Sequence, residues 1–432
     1  MAKNHKKHNP AQNAKLLSAR NYKDFIVRLK NILTLMSGEE NTIKLLHEEE
    51  LDCFYHFRYQ AIRVEAGAGQ IIDPKVLQDM RETAIGLFKS EMVPINTYGG
   101  EVSLSDYLTI VVTILTMIDD FKEEPFKNFE DFVFAIKPFL ATSGIEDRFV
   151  LKKGLKVSQA TTIVRSNLEK DLYWTEMVGE TINGGKDGHY LSYKIYRHHQ
   201  EKIQITIEGL TRPAVRVGWG HHMQGMVWCS RPPASFGLPQ RDISHTLPVY
   251  IQTHALLRLA ERLDCIDEGT VHYFVNLAIK NGRIHKTQNN SYLIEFHFFD
   301  MRAGYLVAVV QDEMVIVRTF LLLTNNGTPE GAKLANYTGL KKEDKSYLSL
   351  DKLSTFMDPA LRDDESIQRI FFDAGCSDLF EITQDLIHEP DKIKSRVSTK
   401  VLLDYLMLQP SGKSQDVKNQ SIAGSGIKGF RV

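Results

Sequence analysis

The residues best suited to chemistry lie in the run THALLRLAERLD, Thr253–Asp264. At about 100° per residue, with His254 at zero, Arg258 falls near 40°, Arg262 near 80° and Glu261 near −20°, one polar stripe on a helix. Leu256, Leu257, Leu259, Ala260 and Leu263 take the opposite arc, so the helix is expected to be amphipathic. An imidazole that titrates near neutral pH, two guanidinium forks that match phosphate oxygens and a carboxylate are parts that can hold a phosphate and move protons. The same four side chains could equally form a solvated helix face tied by internal ion pairs, and their spacing leaves both readings open.

Such a stripe needs a rigid support, and the sequence after it supplies strands. A second helix is expected around GTVHYFVNLAIKNG, followed by three strands, SYLIEFHFF, GYLVAVVQ and MVIVRTFLLL. Asp312-Glu313 between the last two reads as a tight hairpin turn. This organisation, from His254-Ala255, Arg258 and Glu261-Arg262 through Gly304-Tyr305-Leu306-Val307 to Val315–Phe320, resembles a group of small bacterial domains. In them a short helix carrying His-Ala-x-x-Arg-x-x-x-Arg leads into a three-stranded antiparallel sheet, and they look like relatives of the RelE-type and barnase-like toxin ribonucleases. The resemblance covers residues 248–324. It implies metal-independent RNA cleavage, in which a base takes the 2′-hydroxyl proton, arginines stabilise the charge on the phosphorane and an acid protonates the leaving oxygen. His254 would then act as base or acid and Arg258 and Arg262 as the phosphate clamp, with Glu261, His285, Lys286 or Arg318 completing the set. Against a nucleic-acid surface stands the local charge. Between Pro248 and Thr324 seven basic side chains face eight acidic ones, whereas binding to a phosphate backbone favours an excess of Lys and Arg.

Two further groups carry candidate chemistry. His198-His199 and His221-His222, with His245 and His254, could offer imidazole ligands. Neighbours on a strand point to opposite faces, and no HExxH, His-x-His or CxxC spacing accompanies them. They read as strand-end histidines at a wet edge, and neither a metal nor a cofactor is expected. The second group is basic and aromatic: Arg197, Arg212, Arg216, Arg231 and Arg241 interleave with Tyr196 and Trp219. That composition suits single-stranded nucleic acid through phosphate contacts and base stacking. Arg212, Arg216, Trp219, His285 and Lys286 are the nucleic-acid-binding candidates; the plainer reading is a sheet with arginines on its wet face and aromatics in its core. No phosphate-binding glycine loop and no nucleophile elbow is present.

The bulk properties set the frame. With 432 residues, 53 Lys+Arg against 54 Asp+Glu and 43% hydrophobic residues, the chain has no global charge to draw it to nucleic acid or an anionic membrane. Four dispersed cysteines, Cys53, Cys229, Cys265 and Cys376, give no sign of a disulfide framework and fit a reducing, cytoplasmic setting. The longest apolar-leaning run, Tyr107–Ile118, is shorter than the ~20 residues of a membrane span and reads as a buried helix.

An α+β protein in several parts is expected. A disordered basic tail (1–16) precedes a helical domain (17–165), an antiparallel β region (166–229) and a proline-rich linker (230–247). The toxin-like helix-plus-three-strand module (248–340), a helical extension (341–408) and a flexible tail (409–432) complete the chain. Two functions stay open. One is a metal-independent endoribonuclease or RNA-binding protein, with His254, Arg258, Arg262, Glu261 and Arg318 as its catalytic candidates. The other is a non-catalytic interaction protein that binds partners through its N-terminal helices.

Overall fold

The computed structural model describes residues 10–95, 100–141, 143–181, 189–240, 242 and 244–382. Outside these lie the start of the segment expected as a basic tail, the glycine pairs expected as turns at 99–100 (its first residue) and at 184–188, Arg241, and the end of the expected helical extension with the expected tail after it. Helices at both ends flank a sheet-rich centre, the α+β architecture expected from the alternation of hydrophobic periods. The chain forms two compact units.

The first unit comprises residues up to Thr253 together with Glu268–Asn281 and Val310–Ile316. Its first helix, α1 (Pro10–Ser37), includes residues of the segment expected as a tail. Phe25, Leu29, Ile32, Leu33 and Met36 of α1 recur at three- and four-residue intervals and are all buried. Strand β1 (Tyr59–Ala66) follows, then α2 (Pro74–Ser90), whose cap is Asp73, a side-chain oxygen accepting from the Lys75 amide at 2.8 Å. The apolar run at 107–118 is a π-helical turn, Tyr107–Val111, leading into α3 (Val112–Phe121), and Ile110, Val111, Ile114, Met117 and Ile118 are buried in it. Among the described residues no helix is long and apolar enough to cross a membrane. Helix α4 (Ser143–Ile163) completes this packing.

Strands β2 (Asp171–Thr181) and β3 (His189–His199) pair antiparallel over their full length. No strand is expected at β1 from the sequence pattern, yet it joins the far edge of β3 in parallel, with Val64 opposite Tyr193. Tyr193 and Ile195 therefore share one hydrophobic core with Phe88 and Val157 of the helices. Three more strands, β4 (Lys202–Ile207), β5 (Leu210–Arg216) and β8 (Leu247–Gln252), make an antiparallel set ordered β4-β5-β8. Between β5 and β8 lies the hairpin of β6 (Gly218–His221) and β7 (Gly225–Trp228).

The second unit comprises His254–Asp267, Gly282–Val309 and the chain from Val317 onward. It is built on helix α5 (Thr253–Arg262), whose Ala255, Leu256 and Leu259 are buried as the stripe requires. Helix α6 (Glu268–Asn281) follows it in sequence and belongs to the first unit. The strands run β9 (Ile284–Lys286), β10 (Tyr292–Phe298), β11 (Met301–Gln311) and β12 (Met314–Leu322), in that spatial order. Three were expected, and β9 is the addition. In β10, Ile294, Phe296 and Phe298 face the core while Glu295 and His297 alternate to the other side. Phe296 packs edge-on against Phe298 and Phe320, ring centroids 5.2 and 5.3 Å apart. Gly304 of β11 lies so near β12 that a Cβ there would sit 2.0 Å from the Leu321 carbonyl oxygen. The turn at Asp312-Glu313 holds both residues at positive φ, 51° and 56°, the geometry a two-residue hairpin requires.

Helices α7 (Pro329–Thr338), α8 (Lys342–Tyr347), α9 (Glu365–Ala374) and α10 (Asp378–Glu381) follow the sheet. Phe356, Phe371 and Phe380 form their aromatic centre.

Candidate functional site

On α5, Arg258 turns along its own helix and pairs with Glu261 at 2.5 Å, each side chain 42% exposed. Arg262 instead points into the unit, where its guanidinium donates to the Phe320 carbonyl of β12. Burial lowers the Arg262 pKa, and the nearby Asp351 carboxylate works against that shift. Both arginines of the stripe are thus engaged by the fold. His254 sits half-buried in the first turn of α5, and Arg318 is partly buried on β12.

A denser polar group stands on the opposite face of β10 from the phenylalanines. Register carries it there. The Glu295 amide donates to the Arg283 carbonyl at 2.9 Å, which sets His285 diagonally across from Glu295. On the other side Tyr305 lies directly opposite Glu295 and Arg302 opposite His297, with an irregularity in the ladder between Phe296 and His297. The Glu295 carboxylate is 14% exposed and holds both imidazoles. His285 Nε2 donates to Oε1 at 2.8 Å and His297 Nε2 to Oε2 at 3.2 Å. The two rings are 40% and 34% exposed, and Nδ1 of neither meets a hydrogen-bond partner among the described residues. Arg302 reaches the same carboxylate at 3.5 Å and Glu330 of α7 at 2.9 Å.

The electrostatics follow from this packing. Burial raises the Glu295 pKa, but the hydrogen bonds from His285 and His297 and the charge of Arg302 outweigh it, so the carboxyl lies below its usual range. Burial likewise opposes the Arg302 charge, and Glu330, Tyr305, Glu295 and Asp378 more than offset it. Tyr305 is pushed up by burial and by Glu330, to which its hydroxyl donates at 3.0 Å. Among the described residues no group of three or more His, Cys, Asp or Glu has the arrangement to hold a metal ion.

The expected nucleic-acid residues fall in both units. His285 belongs to the carboxylate group, and Lys286 ends β9 exposed. Arg212 and Arg216 lie on β5, as their spacing on one strand face requires. Trp219, however, is only 2% exposed and packs edge-on against Tyr273 in the core. The indole beside Arg216 is Trp228, with the guanidinium 5.2 Å from its ring centre and the His198 ring 5.1 Å away. Reasoning from sequence missed Glu295, Arg302, Tyr305 and Glu330. A sequence signal existed only for Glu295 and His297, as the polar members of an alternating strand. Comparison of the chain with family models, curated proteins and solved structures finds no match.

Proposed function

We propose that this chain cleaves RNA without a metal, in the manner of the bacterial toxin-like ribonucleases, and that the reaction takes place at the β9–β10–β11 face. The observation that carries this reading is the Glu295 carboxylate, each oxygen of which holds one imidazole by its Nε2, at 2.8 and 3.2 Å. That arrangement fixes both rings and leaves each Nδ1 for substrate.

In the reaction so drawn, one ring in its neutral form takes the proton of the ribose 2′-hydroxyl at Nδ1. The 2′-oxygen attacks phosphorus, the P–O5′ bond breaks, and the other ring, as imidazolium, gives its Nδ1 proton to the departing 5′-oxygen. The products are a 2′,3′-cyclic phosphate and a 5′-hydroxyl, and the two rings exchange protonation states. Glu295 stabilises whichever ring is charged, and Arg302 and Lys286 supply cations to the phosphorane. The four cysteines are unpaired thiols, in keeping with a reducing cytoplasmic setting for this activity.

A second reading is a non-catalytic interaction protein that binds partners through its N-terminal helices. It is favoured by Arg262, whose guanidinium is spent on the Phe320 carbonyl, and by the Arg258–Glu261 pair.

Incubating the purified chain with RNA in EDTA, beside His285→Ala, His297→Ala and His254→Ala variants, separates these readings. Cleavage that survives chelation and is lost on replacing His285 or His297 supports the β-face site. Loss confined to His254→Ala moves the site to α5, and intact RNA with the native chain favours the interaction protein.

A further inference from the structure

Glu330 sits in the first turn of α7, where a carboxylate gains from the helix dipole while fully in water. It is nonetheless 7% exposed. Burying a carboxylate is unfavourable unless its oxygens are matched by donors, and here one oxygen carries the load. Oε1 accepts from the Tyr305 hydroxyl at 3.0 Å and lies 2.9 Å from an Arg302 terminal nitrogen, while Oε2 is buried with no hydrogen-bond donor among the described residues. The backbone closes in around the side chain. Gly375 is placed so that a Cβ would stand 3.5 Å from Glu330 Cγ, and Gly331 lies flush against the Asn325 carbonyl.

Arg302 spans two carboxylates. One terminal nitrogen is 2.9 Å from Glu330 and the other 3.5 Å from Glu295, so the longer contact is the one to the group that holds the imidazoles. Titratable groups surround Arg302 from several elements. These are His285 from β9, Glu295 and His297 from β10, Tyr305 from its own strand, Glu330 from α7 and Asp378 from α10, whose carboxylate accepts from the Arg302 amide at 2.9 Å. The Cys376 thiol feels Glu330 and Arg302, and the buried Lys345 near it donates its ammonium protons to Asn326 and to the Gly331 carbonyl. How strongly Arg302 neutralises Glu295 therefore depends on how firmly Glu330 holds its other arm.

We propose that Glu330 is a positioning residue for the His285–Glu295–His297 group: by anchoring Arg302, it sets how much negative charge Glu295 presents to the two imidazoles and so the pH at which they take up a proton. The catalytic meaning of this coupling rests on the functional reading above; the coupling itself does not.

The test is an NMR titration of the imidazole Cε1–H signals of His285 and His297 in the full chain, for the native protein, Glu330→Gln, Glu330→Asp and Arg302→Gln. Removing the Glu330 charge takes a carboxylate away from the group and releases Arg302 toward Glu295, and both effects disfavour imidazolium. Both midpoints are expected to fall by about half a pH unit or more in Glu330→Gln and to recover part of that in Glu330→Asp. In Arg302→Gln a positive charge is lost and Glu295 is freed, so both midpoints are expected to rise. Unchanged midpoints in Glu330→Gln would overturn the proposal. If that variant does not fold, a failure of the midpoints to rise in Arg302→Gln overturns it instead. A native chain that leaves RNA intact would defeat the ribonuclease reading and leave this titration to be judged on its own.

Discussion

Helix α5 and the β9–β11 face both present histidine, arginine and glutamate, yet they use them differently. On the helix, side chains three and four residues apart are neighbours, so Arg258 and Glu261 satisfy one another at 2.5 Å and the next arginine is drawn inward to cap a strand carbonyl. On the sheet, His285, Glu295, His297, Arg302 and Tyr305 come from three strands and meet only because the register sets them side by side. Their partners are shared. One carboxylate serves two imidazoles and one guanidinium serves two carboxylates. A helical stripe tends to close its own hydrogen bonds, while a cross-strand cluster can leave polar atoms, such as the two Nδ1, without a partner among the described residues.

The sharpest way to break this comparison is through catalysis. His285→Ala and His297→Ala are each expected to lower RNA cleavage in EDTA by about a hundredfold or more, the range in which a positioned acid or base contributes. Initial rates from folded variants, checked by circular dichroism, decide it. Near-native rates in both variants would erase the functional difference between the two regions.

The next effect is on stability. Arg262→Ala strips the Phe320 carbonyl of its guanidinium donor and empties the space of a half-buried side chain, which is expected to cost about 2 kcal/mol. Urea unfolding midpoints, read against the native chain, measure it. A loss under about 0.5 kcal/mol would return Arg262 to the class of surface arginines, whose removal has small effects.

How much of this was legible in the sequence follows from the range of the interactions. The apolar arc of α5, the alternation in β10, the hairpin at Asp312-Glu313 and the Asp73-Pro74 helix start are local, and local spacing displays them. Strand β1 is not local. Its eight residues are flanked by helices, and what makes them a strand is the parallel edge of β3, far along the chain. Strand β9 has three residues, too few to show a period. The sequence groups Trp219 with Arg216 among basic and aromatic residues, but β5 ends at Arg216 and β6 starts at Gly218, and the parity of a strand cannot be counted across that break. Glu330 looks in sequence like an ordinary first-turn carboxylate; only the sheet beside it shows that it is buried against Arg302 and Tyr305.

A subtler difference concerns pH. Because the Glu295 carboxyl lies below its ordinary range in the folded chain, its contribution to stability is complete above the unfolded value of about 4.3 and is lost as the pH falls through the lower folded value. The native chain is therefore expected to be more stable than Glu295→Gln at neutral pH, with the gap narrowing below about pH 4 as the carboxylate is protonated. Urea midpoints for both chains at neutral and acid pH test the sign. A gap that widens on acidification would mean that Glu295 is not held as a carboxylate by its neighbours.

The smallest expected effect belongs to the helix stripe itself. Arg258 and Glu261 are each 42% exposed, so water screens their attraction and much of what the ion pair gains is spent in ordering two long side chains. Arg258→Ala is expected to change stability by about 0.5 kcal/mol or less, the range measured for exposed pairs one helical turn apart. Added salt should narrow even that, since the pair is open to solvent. A double-mutant cycle with Glu261→Ala, read by thermal unfolding at low and high salt, isolates the coupling. A coupling above about 1 kcal/mol that persists in salt would show a pair shielded from solvent, and the stripe would then be as tightly built as the sheet face.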